Sequence, residues 1–244
     1  MRVARELDEK PNRGRHLAFI AAGSMCLMLL ASCAGAARNQ TLRALPWHPV
    51  LEQAAAHDLV EVREVIPDLV VDLRYTRGGT ALGGAVYPPD MPCLLHRDTA
   101  LKLAKAQRIL REQGYQLSVW DAWRPTEVQR RLLREAPNPG LFRDPDGEGW
   151  SGHCAGRSVD VTLLDANGRP CRMPTWHDEE SEHTTYYYQG KDRAIAWNVH
   201  RLQMAMHRAG FRLLETEWWH FDDSVMAEKP VPVVSAEDLG LELP

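Results

Sequence analysis

The stretch "RSVDVTLLDANGRP", residues 157–170, decides the fold. Its first nine residues are apolar and β-branched enough to read as a buried strand. "ANGRP" then places Asn167–Gly168 where a two-residue hairpin turn wants residues that tolerate positive φ. A strand that turns back on itself belongs to an antiparallel arrangement. Upstream, "YQLSVWDAW" (115–123) alternates as a second strand, stopped by Pro125. "TEVQRRLLREA" then begins a helix at Thr126. Downstream, "DRAIAWNVHRLQMAMHRAG" (192–210) is an amphipathic helix closed by Gly210. "FRLLETEWWHFD" (211–222) is a final strand or strand–loop. Further upstream, "RDTALKLAKAQRILREQG" is a helix capped by Asp98 or Thr99 and stopped at Gly114. The Val-rich "LVEVREVIPDLVVDLRY" (59–75) reads as strand, and residues 76–92 as a Gly/Pro loop. Strands come in hairpin-like pairs instead of strict βαβ alternation. The expected class is α+β, with a central, mostly antiparallel sheet and flanking helices. The tail from Ser224 is expected to be peripheral.

Composition agrees with an ordinary globular protein: 244 residues, 44% hydrophobic, 25% charged, formal net charge -4. No basic stripe advertises a nucleic-acid surface, and no protein partner is implied. The N-terminus reads as export machinery. Arg2, Arg5, Lys10, Arg13 and Arg15 precede the apolar run "LAFIAAGSMCLMLLAS" (17–32), although Glu6, Asp8 and Glu9 are unusual company there. The run is short of the roughly 20 residues a membrane span needs and suits a signal segment. Its end, "LASC", resembles a bacterial lipobox, which implies cleavage before Cys33, lipidation of Cys33 and anchoring to a membrane. A plain signal peptide cut after "AGA" (34–36) is the alternative; both imply export to the periplasm. The expected organisation is a leader over 1–32, a tether over 33–55 and a single domain over 56–244. Export permits one disulfide among Cys93, Cys154 and Cys171, and the sequence leaves all three pairings open.

Three motifs carry chemistry. "SGHCAGRSVD" (151–160) offers His153 in a glycine-flanked turn and Asp160 in the strand that leaves it. Gly152 and Gly156 let the backbone pass close to an ion or a neighbouring strand. "ETEWWH" (215–220) adds His220, with Glu217 three residues earlier. Side chains alternate along a strand, so a kink or bulge must bring Glu217 and His220 together. "WDAWRP" (120–125) fixes Arg124 just past a strand end, where it can meet an anion. Imidazole and carboxylate suit zinc, usually three from the protein with the fourth position left for water, whose pKa falls to roughly 7. A carboxylate nearby can then move the proton. Each motif also has a plainer reading. On it, Asp160 is paired or hydrogen-bonded in a core, Trp218 and Trp219 are core aromatics, and Arg124 is a surface ion pair with Asp121 or Glu127.

Together, S-x-H-x-x-G-x-[AS]-x-D, then E-x-W-H, with an upstream W-R-P, resembles the D-alanyl-D-alanine dipeptidases of the vancomycin-resistance type. These are zinc peptidases of the lysostaphin, D-Ala-D-Ala carboxypeptidase and hedgehog fold group. The resemblance runs from about residue 71 to 222. It implies one zinc ion per chain on His153, Asp160 and His220, Glu217 as catalytic base and Arg124 as transition-state stabiliser. It also places Ser151 and Asp178 near the substrate's free amino group, and Tyr75, in "DLRY", in the pocket wall. Ser158 stands where alanine is commoner. Cys154 is expected to stay off the metal, as a structural or disulfide-bonded residue. His177 and His183 are pocket-lining candidates, and the tyrosines 186–188 a loop over the site. The implied substrate is D-Ala-D-Ala. A D,D-carboxypeptidase or endopeptidase acting on peptidoglycan stems, and a non-catalytic zinc-binding protein of the same fold, are the rival readings.

Overall fold

Helix α1 (Val50–Ala56) carries Val50 and Ala54 one turn apart, and both are buried in the core. The stretch expected as a tether over 33–55 thus includes most of this helix. A computed structural model describes residues 48–78, 82–137, 139–147, 151–179, 181–227 and 231–244. The leader over 1–32 and Cys33 lie outside them. No helix among the described residues is long and apolar enough to cross a membrane.

The strand expected over 59–75 is broken into pieces. Leu59–Glu61 is β1, Val62–Val65 the single-turn helix α2, Val70–Val71 the short β2, and Arg74–Thr76 a 3-10 turn. Pro67 has no N–H to give a ladder and restrains Ile66, so a continuous strand cannot pass. β1 instead pairs antiparallel with β3 (Leu94–His96) in a two-stranded sheet. Helix α3 (Arg97–Arg111) follows. Its first turn is capped by His96, whose Nδ1 accepts the Asp98 N–H, rather than by Asp98 or Thr99. Thr99 spends its hydroxyl on Asp223 at 2.7 Å.

β4 (Tyr115–Asp121), α4 (Thr126–Glu135) and β5 (Ser158–Asp165) form where their sequence patterns place them. The Asn167–Gly168 turn closes, with Asp165 N–H donating to Arg169 O at 2.9 Å, but its return arm is one bridge, Leu164 to Pro170. α5 (Arg193–Ala209) starts on an Asp192 side-chain cap and ends at Gly210. The expected final strand is a hairpin, β6 (Phe211–Leu214) and β7 (Glu217–Asp223). The main sheet runs β2-β4-β5-β7-β6; only the β2–β4 pair is parallel.

Alternation gives the sheet two unlike faces. Val159, Val161 and Leu163 of β5 are fully buried, and α3 and α5 pack together against the sheet. Asp160 and Thr162 face the other way. The tail is not peripheral. Val234 and Leu239 are buried, the latter in the short helix α6 (Ala236–Leu239). Val234 donates to Cys154 O at 2.7 Å and accepts the Trp123 indole N–H at 3.0 Å, so the tail braces two of the three motifs from behind. Cys93, Cys154 and Cys171 are all free thiols, so the permitted disulfide is not formed.

Glu61 gives the fold a pH dependence. Its Oε2 accepts the Cys93 N–H at 2.7 Å, while Oε1 is buried without a partner. Burial is the largest influence and pushes its carboxyl up to about 7, from an ordinary 4.5. Between pH 4.5 and 7 only the folded chain keeps this proton, so stability falls as pH rises through that window. The loss amounts to about 3 kcal/mol above pH 7. Glu61→Gln should flatten stability between pH 5 and 8 and raise it at pH 8, as read by urea unfolding. An unchanged slope would show that Glu61 is not the responsible group.

Candidate metal centre

Strand register builds most of the site. Asp121 of β4 lies opposite Asp160 of β5, and Asp160 lies opposite His220 of β7. Paired residues project to the same face, so the three form a row across the sheet. Two irregularities set this row. Trp120 is the extra residue between Val119 and Asp121 in β4. In the β6–β7 pair, Leu213 faces Phe221 while Leu214 faces Glu217, so residues 218–220 bulge. The bulge brings Glu217 Oε2 to 3.8 Å from His220 Nδ1, which a regular strand would not do.

His153 arrives from the 3-10 turn His153–Ala155. The glycines around it have steric reasons. A Cβ on Gly152 would lie 1.9 Å from Ser158 Oγ. Gly156 has φ +61, and a Cβ there would lie 2.5 Å from Leu59 Cδ2. Gly156 O accepts the His96 N–H at 2.9 Å, so this glycine serves close approach to β3.

The outer bonds of each imidazole fix which nitrogen faces inward. His153 Nδ1 is 2.7 Å from Ala122 O; a carbonyl only accepts, so Nδ1 carries the proton and Nε2 keeps its lone pair. His220 Nε2 donates to Asp222 Oδ1 at 2.9 Å, which leaves the Nδ1 lone pair free. His153 Nε2, His220 Nδ1 and Asp160 Oδ1 then converge. The two nitrogens are 3.1 Å apart, and Asp160 Oδ1 lies 3.3 Å from the first and 3.0 Å from the second. Three lone pairs packed this closely repel unless a cation stands among them. At zinc bond lengths of about 2.0–2.1 Å, the edge of a tetrahedron is about 3.3 Å, so the donor set fits zinc in type and spacing. It is the one such three-residue cluster found among the described residues.

Surrounding charges support the inward set. Burial opposes ionisation of Asp160, but the imidazoles around it, His153 first and then His177 and His220, hold its carboxyl far below the usual range. Burial likewise opposes Asp222, and His220 followed by the Ser158 hydroxyl overcome it. Glu217 goes the other way: burial raises its carboxyl, only partly offset by His220.

A cavity of about 290 Å³ opens beside the cluster. Arg124, Ser151, Asp178 and Glu217 line it together with the three candidate ligands. Asp178 holds its place with a backbone φ of +57, uncommon for a residue with a side chain. Tyr75 does not line the cavity. It is fully buried behind Asp178 and donates its hydroxyl to Asp178 Oδ2 at 2.7 Å. His177 also lies behind the wall, with Nε2 3.0 Å from Asp160 Oδ2. His183 packs against Tyr188, and residues 186–188 are not among the lining residues. Cys154 is buried and outside the cluster.

Arg124 is no surface ion pair. It is 4% exposed, donates to Asp121 Oδ2 from Nε at 2.9 Å and to Gln129 Oε1 from Nη1 at 2.8 Å. Gln129 and Asp222 are supporting residues that sequence reasoning missed, and Asp121, expected only as a surface partner of Arg124, is a buried one. The spacings D-x-x-R and H-x-D carried the signal for the two acids.

A family model described as Peptidase_M15, D-ala-D-ala dipeptidase, matches residues 55–232. The D-alanyl-D-alanine dipeptidase of Escherichia coli (strain K12) is 33% identical over 174 residues, covering 71% of this chain and 89% of that protein. The D-alanyl-D-alanine dipeptidase of Enterococcus faecium is 29% identical over 153 residues, covering 55% of this chain and 74% of that protein.

Proposed function

The chain belongs to the D-Ala-D-Ala dipeptidase family of metallopeptidases, and from that premise we propose the parts its residues take in hydrolysing D-Ala-D-Ala. The observation that carries the reading is the convergence of His153, Asp160 and His220 in one cavity with a buried carboxylate, Glu217, beside them. Zinc, when bound there, supplies a Lewis acid and a water of lowered pKa. Glu217 takes the proton of the attacking water and returns it to the leaving amine. Arg124 donates to the oxyanion that develops on the scissile carbonyl. Asp178, a carboxylate held on the cavity wall by Tyr75, meets the substrate's ammonium group, with Ser151 beside it. An anionic anchor for a free amine favours a dipeptidase over an enzyme that trims longer peptides, whose corresponding nitrogen is an uncharged amide. Neither Glu217 nor Arg124 is needed merely to hold zinc, which argues against a non-catalytic protein.

We place this activity at the periplasmic face of a membrane, with the mature chain beginning at a lipidated Cys33. The support is the "LASC" pattern after the apolar run. Lipid labelling that persists in Cys33→Ser would refute it. For the activity, purified chain with zinc should release D-alanine from D-Ala-D-Ala and lose that activity on chelation. The N-acetylated dipeptide should resist. Efficient cleavage of the blocked peptide would favour the carboxypeptidase reading.

A further inference from the structure

The proposed chemistry gives His177 no task. The residue is 4% exposed and lies in an aromatic nest, its ring centroid 5.5 Å from Tyr75, 5.7 Å from Trp120 and 5.8 Å from Trp219. Its Nδ1 is buried with no hydrogen-bond partner; the nearest carboxylate oxygen, on Asp178, is 3.6 Å away. A phenylalanine would fill such a nest without leaving a buried nitrogen unsatisfied. An imidazole kept there against local packing preference points to a use for its other nitrogen.

That nitrogen, Nε2, is 3.0 Å from Asp160 Oδ2. Among the described residues it is the one hydrogen-bond donor on that oxygen, because Arg124 Nη2 stands off at 3.7 Å. The other two candidate ligands each have an outer partner, Ala122 O for His153 and Asp222 for His220. Asp160 lacks one unless His177 supplies it. A carboxylate rotates broadly about its last torsion, so an unheld Asp160 would present either oxygen, or both, to the metal position.

We propose that His177 is a positioning residue for the metal: its Nε2–H grips the outer oxygen of Asp160 and keeps Oδ1 turned toward His153 Nε2 and His220 Nδ1. The inference rests on the triad being a zinc site, and not on which peptide is cleaved. Outer partners of this kind are worth about 10–100-fold in metal affinity.

The test is zinc competition against a chromophoric chelator, using the full chain, with thermal unfolding of the metal-free protein measured in parallel. His177→Phe should weaken zinc binding by about 10–100-fold while the metal-free protein melts close to wild type. His177→Gln, which keeps an N–H near the same place, should bind zinc within about threefold of wild type. Wild-type zinc affinity in His177→Phe overturns the proposal. So does a His177→Gln variant as weak as His177→Phe, since the donor would then not be the cause. Failure of both variants to fold makes the residue structural and overturns it too. A wild-type chain that binds zinc in this His177-dependent way but cleaves no dipeptide would sink the functional reading alone.

Discussion

Replacing Glu217 with glutamine lowers kcat on D-Ala-D-Ala by about 10²–10⁴-fold and leaves zinc bound. The separation of the two effects follows from position. Glu217 begins β7, is buried, and stands 3.8 Å from His220 Nδ1, next to the three-ligand cluster without belonging to it. Glutamine preserves the shape and cannot accept the proton. Burial raises the Glu217 carboxyl most, His220 pulls it back, and Asp160 and Asp178 raise it again. A carboxylate lifted this way is a stronger base than an ordinary glutamate, and a bound cation restores its ionised form near neutral pH. The base must be ionised to work, so kcat/KM in the wild type should fall as pH drops through its pKa. The residual activity of Glu217→Gln should lack that acidic limb. Loss of zinc in step with activity, or a fall in kcat under tenfold, would remove Glu217 from the base role.

Legibility in the sequence followed locality. The Asn167–Gly168 turn, the α5 boundaries at Asp192 and Gly210, and β5 are written in neighbouring residues, and they form as read. Residues 59–75 are not. Their valine alternation suits one long strand as well as two short ones, and the outcome depends on Pro67 and on partners far away, β3 for one piece and β4 for the other. The tail shows the same limit. Val234 and Leu239 have no periodic company, so nothing nearby announces that Trp123 and Cys154 will take up their neighbourhood. At the site, ligand chemistry is a matter of residue type and spacing, which is why His153, Asp160, His220 and Glu217 could be picked out. The supporting residues depend on register at single-residue precision. Asp121 faces Asp160 only because Trp120 bulges, and His177 reaches Asp160 only through a loop without period.

Arg124→Ala should fail in two ways that can be separated. Loss of the guanidinium removes a donor to the developing oxyanion, an effect of about 2.7–4 kcal/mol, or 10²–10³ in kcat. It also strands Asp121, which is 0% exposed and whose Oδ2 accepts a hydrogen bond from Nε of this arginine at 2.9 Å and pairs with Nη2 at 2.7 Å. Breaking a buried pair on one side costs about 3–5 kcal/mol because the remaining charge has no partner. The Tyr87 hydroxyl, at 2.8 Å from Asp121 Oδ1, supplies only a neutral donor in compensation. Arg124→Lys keeps the charge but not the fork that also reaches Gln129 Oε1, so it should recover more stability than rate. The decisive variant is Asp121→Asn with Arg124→Ala, which removes the stranded charge. Urea unfolding should then return toward wild type while kcat stays depressed by at least about 100-fold. If kcat recovers together with stability, Arg124 acts only by holding the wall of the cavity and never touches the reacting carbonyl.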